Sequence, residues 1–468
     1  MLYFYVQTGK IISMEYKKKV NKAGKNIEAG MDFNSTMPIP NERKMSKKRP
    51  ILRTFLAICL ALLFFVAGAL VFWFSLDSEM RSLIKVKNMI DKEYYQEIED
   101  ERFYGALFST INDTILDPYS HYMTTDEVTA TNSDMAGERS GIGIVFSTQA
   151  EDGSAQLFVI RVCGNSPAEG AGIRAGEFVV AFGKTEKEMK DSVVFDELSA
   201  FLSTCQTGEP FYIKVRAGDE VRNVALSKAE YVESHVFYRS ATTAYGFTGK
   251  NATEKTAIGD PLSCLDKDTA YIRLRQFAGE AVKEFEGAME IFKSEGKKNL
   301  VLDLRDNGGG YLDVMQEISG FFCKNTTGKP VVAIADYGEK KEEFRAKRNV
   351  YSDYFQADSR ICVLANGNTA SASESLMGCM IDYGATTYAD ICLTEWNGIA
   401  KTFGKGIMQS TYYLGLKKDA LKLTTAEIQW PSGKSIHARG VLSTDGTKTV
   451  KGEVEDETEL INAIKTLF

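Results

Sequence analysis

The feature that most constrains this chain is an uncharged apolar stretch, TFLAICLALLFFVAGALVFWFS, from Thr54 to Ser75. A helix of this length covers the roughly 30 Å hydrocarbon core of a bilayer. A cleaved signal peptide and a buried core helix are the alternatives, but the stretch is longer than a usual signal core and no small-x-small cleavage site follows it. We therefore predict an uncleaved single-pass anchor, residues 54–75, in the cell membrane.

Charge gives this anchor an orientation. The chain of 468 residues has a net charge of −7, yet residues 1–53 hold twelve Lys and Arg against four Asp and Glu. Basic residues mark the cytoplasmic side of a membrane helix. The basic N-terminus, residues 1–53, is thus predicted to be cytoplasmic and everything after the anchor extracytoplasmic, and Met45 would itself make a normal start for such an anchor. No basic stripe interleaved with aromatics occurs, so we expect no nucleic-acid partner.

Cysteine and histidine patterns argue against a metal centre. None of the eight cysteines forms a C-x-x-C pair, and there is no H-E-x-x-H sequence. We expect no metal and no cofactor, and mostly buried free thiols.

The rest of the chain is long enough for two or three domains. Residues 77–133 show helical spacing, and residues 134–230 consist of short β-like runs separated by glycines. Residues 231–268 are polar and irregular, which predicts a linker with an insertion. From residue 269 onward, strand and helix patterns alternate, which predicts a layered α/β core.

One serine lies where a nucleophile could be placed. An apolar strand ends at Asn366, and a run of small residues leads through Ser371 into a predicted helix. Backbone N–H groups at a helix N-terminus stabilise negative charge, as acyl transfer requires. From this stretch alone, however, a simple N-cap role for Ser371 is favoured.

A base for Ser371 is more easily found among the lysines than among the three histidines, none of which lies in a motif. A G-x-S-x-G motif is also absent. Lys405 lies between two glycines in TFGKGIMQ (402–409), and a lysine can act as a base when burial depresses its pKa. The amide oxygen of Gln409, four residues on, would accept a hydrogen bond from the lysine amine.

A glycine run follows another buried strand, in DLRDNGGG (303–310). Such a run exposes backbone N–H groups, and with the N–H of Ala372 it would form an oxyanion hole. A phosphate-binding loop is the alternative, but neither G-x-x-x-x-G-K-[ST] nor G-x-G-x-x-G surrounds it. Alone it would be an ordinary tight turn.

These three stretches, in this order, resemble the motifs of the C-terminal processing peptidases, the carboxyl-terminal or tail-specific proteases of peptidase family S41. The resemblance runs from about residue 80 to the C-terminus. It includes further matches in the same order: DPYSHY (117–122), GIGI (141–144), SPAEGAGIRAGE (166–177), YIRLRQF (271–277) and WPSGKSIHARGV (430–441).

The resemblance implies a serine endopeptidase whose nucleophile is Ser371, with Lys405 as base and Gln409 as its orienting partner. Gly309 or Gly310, with Ala372, would form the oxyanion hole. It also implies a PDZ domain at 134–230 that binds substrate C-termini through one loop, formed by Gly141, Ile142, Gly143 and Ile144.

The implied fold is a layered α/β (α+β) serine-protease core of the crotonase/ClpP-like type, with the PDZ domain inserted and a transmembrane helix in front. Residues 77–133 would be the N-terminal helical part of that core and 231–468 the catalytic domain. Polypeptides and the membrane are the expected partners, and a homo-oligomer is left open.

Two other function classes fit less well. A membrane-tethered PDZ scaffold with an inactive protease domain conflicts with the intact Ser371, Lys405 and Gln409. A crotonase-like acyl-CoA enzyme conflicts with the PDZ module and the anchor. The chain also departs from the family pattern by extra residues around 391–400, expected at the rim of the site, and by a longer segment at 240–268.

Overall fold

The apolar stretch forms a long helix, α1 (Lys48–Ser75), in a computed structural model that describes residues 48–468 except 152–153, 192–193, 250, 255–260, 396–397, 416–417 and 453–456. Among the described residues, α1 alone is long and apolar enough to cross a membrane, and no part of its apolar window is buried. The helix is compatible with a single-pass anchor or with a signal sequence. Most of the predicted cytoplasmic segment, residues 1–47, lies outside the described residues.

The chain divides after Ile98 into two units. The first contains α1 and α2 (Ser78–Glu93), and the Asp77 carboxylate caps α2 by accepting the N–H of Met80 at 2.7 Å. The second unit begins with α3 (Asp100–Thr114), β1 (His121–Met123) and α4 (Thr125–Met135). The segment predicted to be helical, 77–133, therefore contributes to both units and includes one short strand.

Residues 138–232 form a β-rich domain, here called the inserted domain. Its elements are β2 (Glu138–Gly141), β3 (Ile144–Glu151), β4 (Ser154–Val162), α5 (Pro167–Gly170), β5 (Phe178–Gly183), β6 (Lys190–Asp191), α6 (Phe195–Thr204), β7 (Pro210–Ala217), β8 (Glu220–Ser227) and β9 (Ala229–Val232). The sheet order is β3-β4-β5-β7-β8, with β6 on β5. Alternate residues of β7 are buried in a separate core with Leu157 and Leu198.

The two ends of the inserted domain leave it side by side. β2 and β9 pair antiparallel, from Glu138 opposite Val232 to Gly141 opposite Ala229. The domain therefore joins the rest of the second unit through one two-stranded ribbon.

An eight-stranded sheet organises the remainder of this unit. Its strands are β10 (Val236–Arg239), β11 (Ala244–Thr248), β12 (Asn251–Glu254), β13 (Thr269–Leu274), β14 (Asn299–Asp303), β17 (Ile361–Ala365), β18 (Ile391–Glu395) and β21 (Lys448–Lys451). The order is β12-β11-β10-β13-β14-β17-β18-β21, and the neighbours from β13 to β21 are parallel.

Helices cover both faces of this sheet, as continuous apolar parallel strands require. The helices are α7 (Ala281–Ser294), α8 (Leu312–Ser319), α9 (Tyr351–Tyr354), α10 (Ala372–Asp382) and α11 (Glu457–Leu467). Leu300 and Leu302 share a core with α7, α8 and α10, whereas Val301 between them packs in the cluster that contains α11. Successive side chains of β14 point to opposite faces of the sheet, so one face packs against α7, α8 and α10 and the other against α11.

A smaller antiparallel sheet completes the unit. It contains β15 (Val331–Asp336), β16 (Lys341–Arg345), β19 (Ile407–Tyr413) and β20 (Ala420–Gln429), in the order β1-β20-β15-β16 with β19 on β20. His121 of β1 lies opposite Lys422 of β20. This pairing brings the turn at 117–120 next to the segment of Lys405.

One sequence prediction is wrong. Residues 231–268, predicted as a linker with an insertion, contain β10, β11 and β12. Strands of four or five residues are too short to show an alternating pattern, and these are stabilised by the pairing of β10 with β13, of β11 with β10 and of β12 with β11. Residues 391–400, expected as extra chain at the rim, begin with the buried strand Ile391–Glu395 between β17 and β21. That this stretch is longer than in the family stays a prediction.

The prediction of mostly buried free thiols is confirmed. Six of the eight cysteines are buried, and these six are free thiols. The Sγ atoms of Cys323 and Cys379 are 3.9 Å apart in the core. Burial raises the pKa of the Cys362 and Cys392 thiols to about 12, so these side chains are neutral core residues.

Candidate active site

Ser371 occupies a strained turn between β17 and α10. Its backbone has φ 57° and ψ −116°, a region that costs a non-glycine residue about 1–3 kcal/mol. A strand-to-helix turn of this kind exposes the nucleophile in hydrolases with the G-x-S-x-G motif. Ser371 occupies the N-cap position of α10, as its place before the helix predicted.

Glu374, three residues later, joins the serine segment to the lysine segment. Its fully buried carboxylate accepts the backbone N–H of Ser371 at 3.0 Å and that of Lys405 at 2.9 Å. It also accepts the N–H of Gly404 at 2.8 Å and the hydroxyl of Thr402 at 2.5 Å. Burial raises the pKa of Glu374, and these hydrogen bonds oppose that rise.

The sequence motifs alone indicate no role for Glu374. A signal was present, because a glutamate three residues after an N-cap serine is the capping-box pattern. What the pattern could not reveal is that one oxygen of this carboxylate also serves Lys405.

The glycine loop is anchored by Asn307, which is completely buried. Its Nδ2 donates to the Leu274 carbonyl at 2.8 Å, and its own carbonyl accepts the N–H of Ala370 at 3.0 Å and the hydroxyl of Ser373 at 2.9 Å. The Asn307 carbonyl therefore joins the loop to the residue before Ser371 and to the second residue after it.

Gly309 makes the close approach to the serine. With φ 101°, a Cβ at this position would lie 2.8 Å from Ser371 Cβ and 2.9 Å from the Ala372 nitrogen. Only glycine fits there. The Gly309 N–H donates to Asn307 Oδ1 at 2.9 Å, whereas no acceptor is recorded among the described residues for the N–H groups of Gly310 and Ala372.

The loop also rests on buried charge. Arg305, 3% exposed, lies 2.6 Å from an Asp303 oxygen and 2.9 Å from an oxygen of Glu459 on α11. The nearby guanidinium holds the pKa of the Asp303 carboxyl far below its usual range despite burial. This ion pair fixes the end of β14, where the loop begins.

Lys405 lies in the loop before β19 and is half-buried. Burial lowers the pKa of its amine, and the charge of Lys422 lowers it further, whereas Asp117 acts in the opposite direction. Its Nζ is 5.0 Å from the centroid of the Tyr119 ring, a cation–π distance.

The turn that carries Tyr119 forms a network with β20. Asp117 accepts the N–H of Tyr119 at 2.8 Å and the hydroxyl of Ser120 at 2.9 Å, and Ser120 in turn accepts the N–H of Thr424 at 2.8 Å. In the sequence, residues 117–120 indicate a turn and form part of a family match. No sequence pattern indicated that its aromatic ring would contact Lys405.

Gln409 belongs to the same network. Its Nε2 donates to Thr424 Oγ1 at 3.4 Å, and β19 has an irregular register between Met408 and Gln409. No hydrogen bond between Gln409 and Lys405 occurs among the described residues. The orienting role of Gln409 stays a prediction.

All six residues predicted for catalysis meet at one cavity of about 750 Å³. Its walls include Ser371, Ala372, Lys405, Gln409 and residues 308–310. Among the residues that the structure describes, no group of three or more His, Cys, Asp or Glu side chains could hold a metal ion.

The four predicted loop residues of the inserted domain lie apart from this cavity. Gly143, with φ 81°, packs so closely that a Cβ would lie 2.1 Å from Ser166 Cβ. The carbonyl of Ile142 accepts the N–H of Ala168 at 2.9 Å, and that of Gly143 accepts the N–H of Cys163 at 2.9 Å. Two carbonyl groups of the loop from Gly141 to Ile144 are thus hydrogen-bonded to the segment from Cys163 to Ala168.

Comparison with known proteins supports the interpretation of this site. Residues 268–444 match the model of peptidase family S41. Two CtpA-like serine proteases are each 26% identical to this chain over 78% of its length. The match covers 369 residues for the protein of Staphylococcus aureus (strain COL) and 368 residues for that of Staphylococcus saprophyticus. These matches span 64% of the relatives' length, so just under two thirds of each relative is covered.

A crystal structure described as an S41 protease from Bacteroides fragilis has the same fold, with a TM-score of 0.50 over 77% of this chain and 84% of that one, at 15% identity. The predicted mixed α/β fold is therefore confirmed. The cavity contains the serine, the lysine and the glycine loop of residues 268–444, and this segment is a peptidase family S41 domain by its match to the family model.

Proposed function

We propose that this chain is a serine endopeptidase in which Ser371 is the nucleophile and Lys405 the general base. The observation that carries the proposal is the shared carboxylate of Glu374, which accepts the N–H groups of both residues at 3.0 and 2.9 Å. A buried acceptor common to both segments keeps nucleophile and base at one cavity, as covalent catalysis requires.

The proposed reaction has two steps. Neutral Lys405 takes the proton of the Ser371 hydroxyl as Oγ attacks the scissile carbonyl, and the protonated lysine then gives that proton to the leaving amine. In the second step the same lysine takes a proton from water as its oxygen attacks the acyl carbonyl, and it returns that proton to Ser371 Oγ as the ester bond breaks. The N–H groups of Ala372 and Gly310 stabilise the oxyanion, because Gly309 already donates to Asn307.

We assign recognition of substrate C-termini to the inserted domain, acting as a PDZ domain. β3 is the terminal strand of its sheet, and among the described residues it pairs with β4 alone. The ring centroids of Phe146 on β3 and Phe195 on α6 are 6.4 Å apart. A peptide adding to this edge would run between β3 and α6, with its carboxylate at the loop from Gly141 to Ile144.

We further propose that α1 is an uncleaved anchor and that the second unit acts outside the cytoplasm on extracytoplasmic proteins. The observations behind this are the exposed apolar surface of α1 and the basic residues before it. Protease added to intact cells should therefore digest the second unit. Protection of that unit until the cytoplasmic membrane is permeabilised would contradict the orientation.

A peptide-cleavage assay tests the activity. The full chain in detergent micelles should hydrolyse a denatured polypeptide, and Ser371→Ala and Lys405→Ala should each abolish turnover. Lys347→Ala, an exposed lysine outside the cavity, is the matched control and should keep full activity. Turnover by Ser371→Ala would refute the proposal, and an inactive wild-type chain that still binds C-terminal peptides would favour the scaffold function.

A further inference from the structure

The cavity at Ser371 is strongly basic although the chain as a whole is acidic. Seven Lys and Arg side chains line it against two carboxylates, in a protein whose net charge is −7. Arg305 is compensated from behind by Asp303 and Glu459, and Lys405 acts as a neutral base in the proposed mechanism. A surplus of positive charge remains without these two, and a cleft lined by one sign of charge concentrates ligands of the other sign.

The surplus is concentrated near the ends of β10 and β13. Arg139 and Arg161 both pair with Glu233, and Arg273 reaches Asp306 at 3.5 Å. Arg275 adds a further guanidinium, 5.3 Å from the Phe237 ring centroid. Arg139 also pairs with Asp134. This end of the cavity thus has four guanidinium groups against three carboxylates, Asp134, Glu233 and Asp306.

This basic end lies close to the nucleophile. The N–H of Phe277, two residues after Arg275, donates to the carbonyl of Gly309 at 2.9 Å. Gly309 in turn touches Ser371, as the space for its absent Cβ shows. Arg273, Arg275 and Ser371 all line this one cavity, so the arginines border the space that a substrate bound at Ser371 would occupy.

We propose that Arg273 and Arg275 form an anion subsite that binds a substrate carboxylate next to the scissile bond, so that the preferred substrates are polypeptides with Asp or Glu near the cleavage site. The inference rests on the proposed peptidase function. Guanidinium groups suit this ligand because their paired N–H donors match the two oxygens of a carboxylate.

Binding to the Ser371→Ala full chain tests the subsite without turnover. The probes are pools of acetylated peptide amides that differ in one fixed residue, Glu or Gln, and a third pool has a free C-terminus with Gln. The Glu pool should bind about tenfold more tightly than the Gln amide pool, the range of a charge-assisted hydrogen bond. If only the free C-terminus gives the gain, the carboxylate recognised is the chain end and the side-chain preference is refuted.

Variants locate the preference. Arg275→Gln should reduce the Glu-to-Gln ratio to below about twofold, whereas Arg275→Lys should retain part of it because the charge remains. Arg345→Gln, an exposed arginine on β16 outside the cavity, is the matched control and should leave the ratio unchanged. If Arg275→Gln fails to fold, high salt on the Ser371→Ala chain replaces it and should weaken the preference.

Wild-type turnover of the same pools separates the two hypotheses. Cleavage at equal rates for Glu and Gln, with equal binding, would overturn the subsite and leave the peptidase function standing. Tighter binding of Glu without any cleavage would overturn the peptidase function and support the subsite. A Glu preference that Arg275→Gln leaves intact would also contradict the assignment.

Discussion

The serine side and the lysine side of the cavity are held in different ways. Ser371 is followed by a helix whose next nine residues are all buried, and the loop beside it is fixed by Asn307 and by the Arg305 ion pair. The side chain of Lys405 instead lies against Tyr119, on a turn near the protein surface. Only its backbone shares the Glu374 carboxylate with the serine.

This difference indicates how the site achieves its geometry. The position of the nucleophile and of the oxyanion donors follows from the core, so it comes with folding. The position of the lysine amine depends on one ring and on a hydrogen-bond network around Thr424 with distances from 2.8 to 3.4 Å. Substitutions on the serine side should therefore affect stability and activity together, and those on the lysine side activity and its pH dependence alone.

The largest effect is expected for Glu374→Ala. It leaves four buried donors without their acceptor, which should lower the free energy of unfolding by about 3 kcal/mol or more and abolish turnover. Denaturant unfolding and peptide cleavage measure the two losses. Glu290→Ala, an exposed glutamate on α7, is the control, and an active, stable Glu374→Ala protein would remove the link between the two sides.

Gly309→Ala should reduce kcat about 100-fold, because the new Cβ would push against Ser371 Cβ and the Ala372 nitrogen at a positive φ. The neighbouring Gly308 has no atom within 4 Å of its Cβ position, so Gly308→Ala is a matched control and should stay within a few-fold of wild type. Steady-state kinetics on both variants decide the matter. Equal activities would show that the close approach of the loop has no catalytic consequence.

On the lysine side, Tyr119→Leu should lower kcat/KM by roughly three- to tenfold, because it removes the ring against which the Lys405 amine is positioned. Tyr119→Phe keeps the ring and should stay near wild type. The melting temperatures of both variants should match that of the wild type. A large fall in stability for Tyr119→Leu would contradict the contrast between the two sides.

The smallest effects concern pH. Activity should rise with pH through the lowered pKa of Lys405, since only the neutral amine accepts a proton. Removing the positive charge of Lys422 with Lys422→Gln should raise that pKa and move the profile to higher pH. Removing the negative charge in Asp117→Asn should move it to lower pH, so shifts of the same sign in both variants would refute the lysine as base.

Much of the serine side could be predicted from the sequence. A long apolar strand before a run of small residues indicates a buried parallel strand and a turn, and β14, β17 and α10 lie within a few residues of their predicted positions. The strained conformation of Ser371 could not be predicted, because it depends on Asn307 and Gly309, which are distant in sequence.

The lysine side was less predictable for a physical reason. Tyr119 and Lys405 are brought together by the pairing of β1 with β20, whose partners His121 and Lys422 lie 301 positions apart in the numbering. β1 has only three residues, too few for a periodic pattern. The same reason explains the missed strands between residues 236 and 254, which pair with β13 or with each other.

Covalent labelling with a fluorophosphonate, which reacts with activated serine nucleophiles, tests most directly whether Ser371 is the nucleophile and Lys405 its base. Peptide mass spectrometry of the labelled full chain should find the adduct on Ser371, at a rate that rises with pH in the wild type and falls strongly in Lys405→Ala. An adduct on a different serine, or labelling of Ser371 at an unchanged rate in Lys405→Ala, would contradict the account.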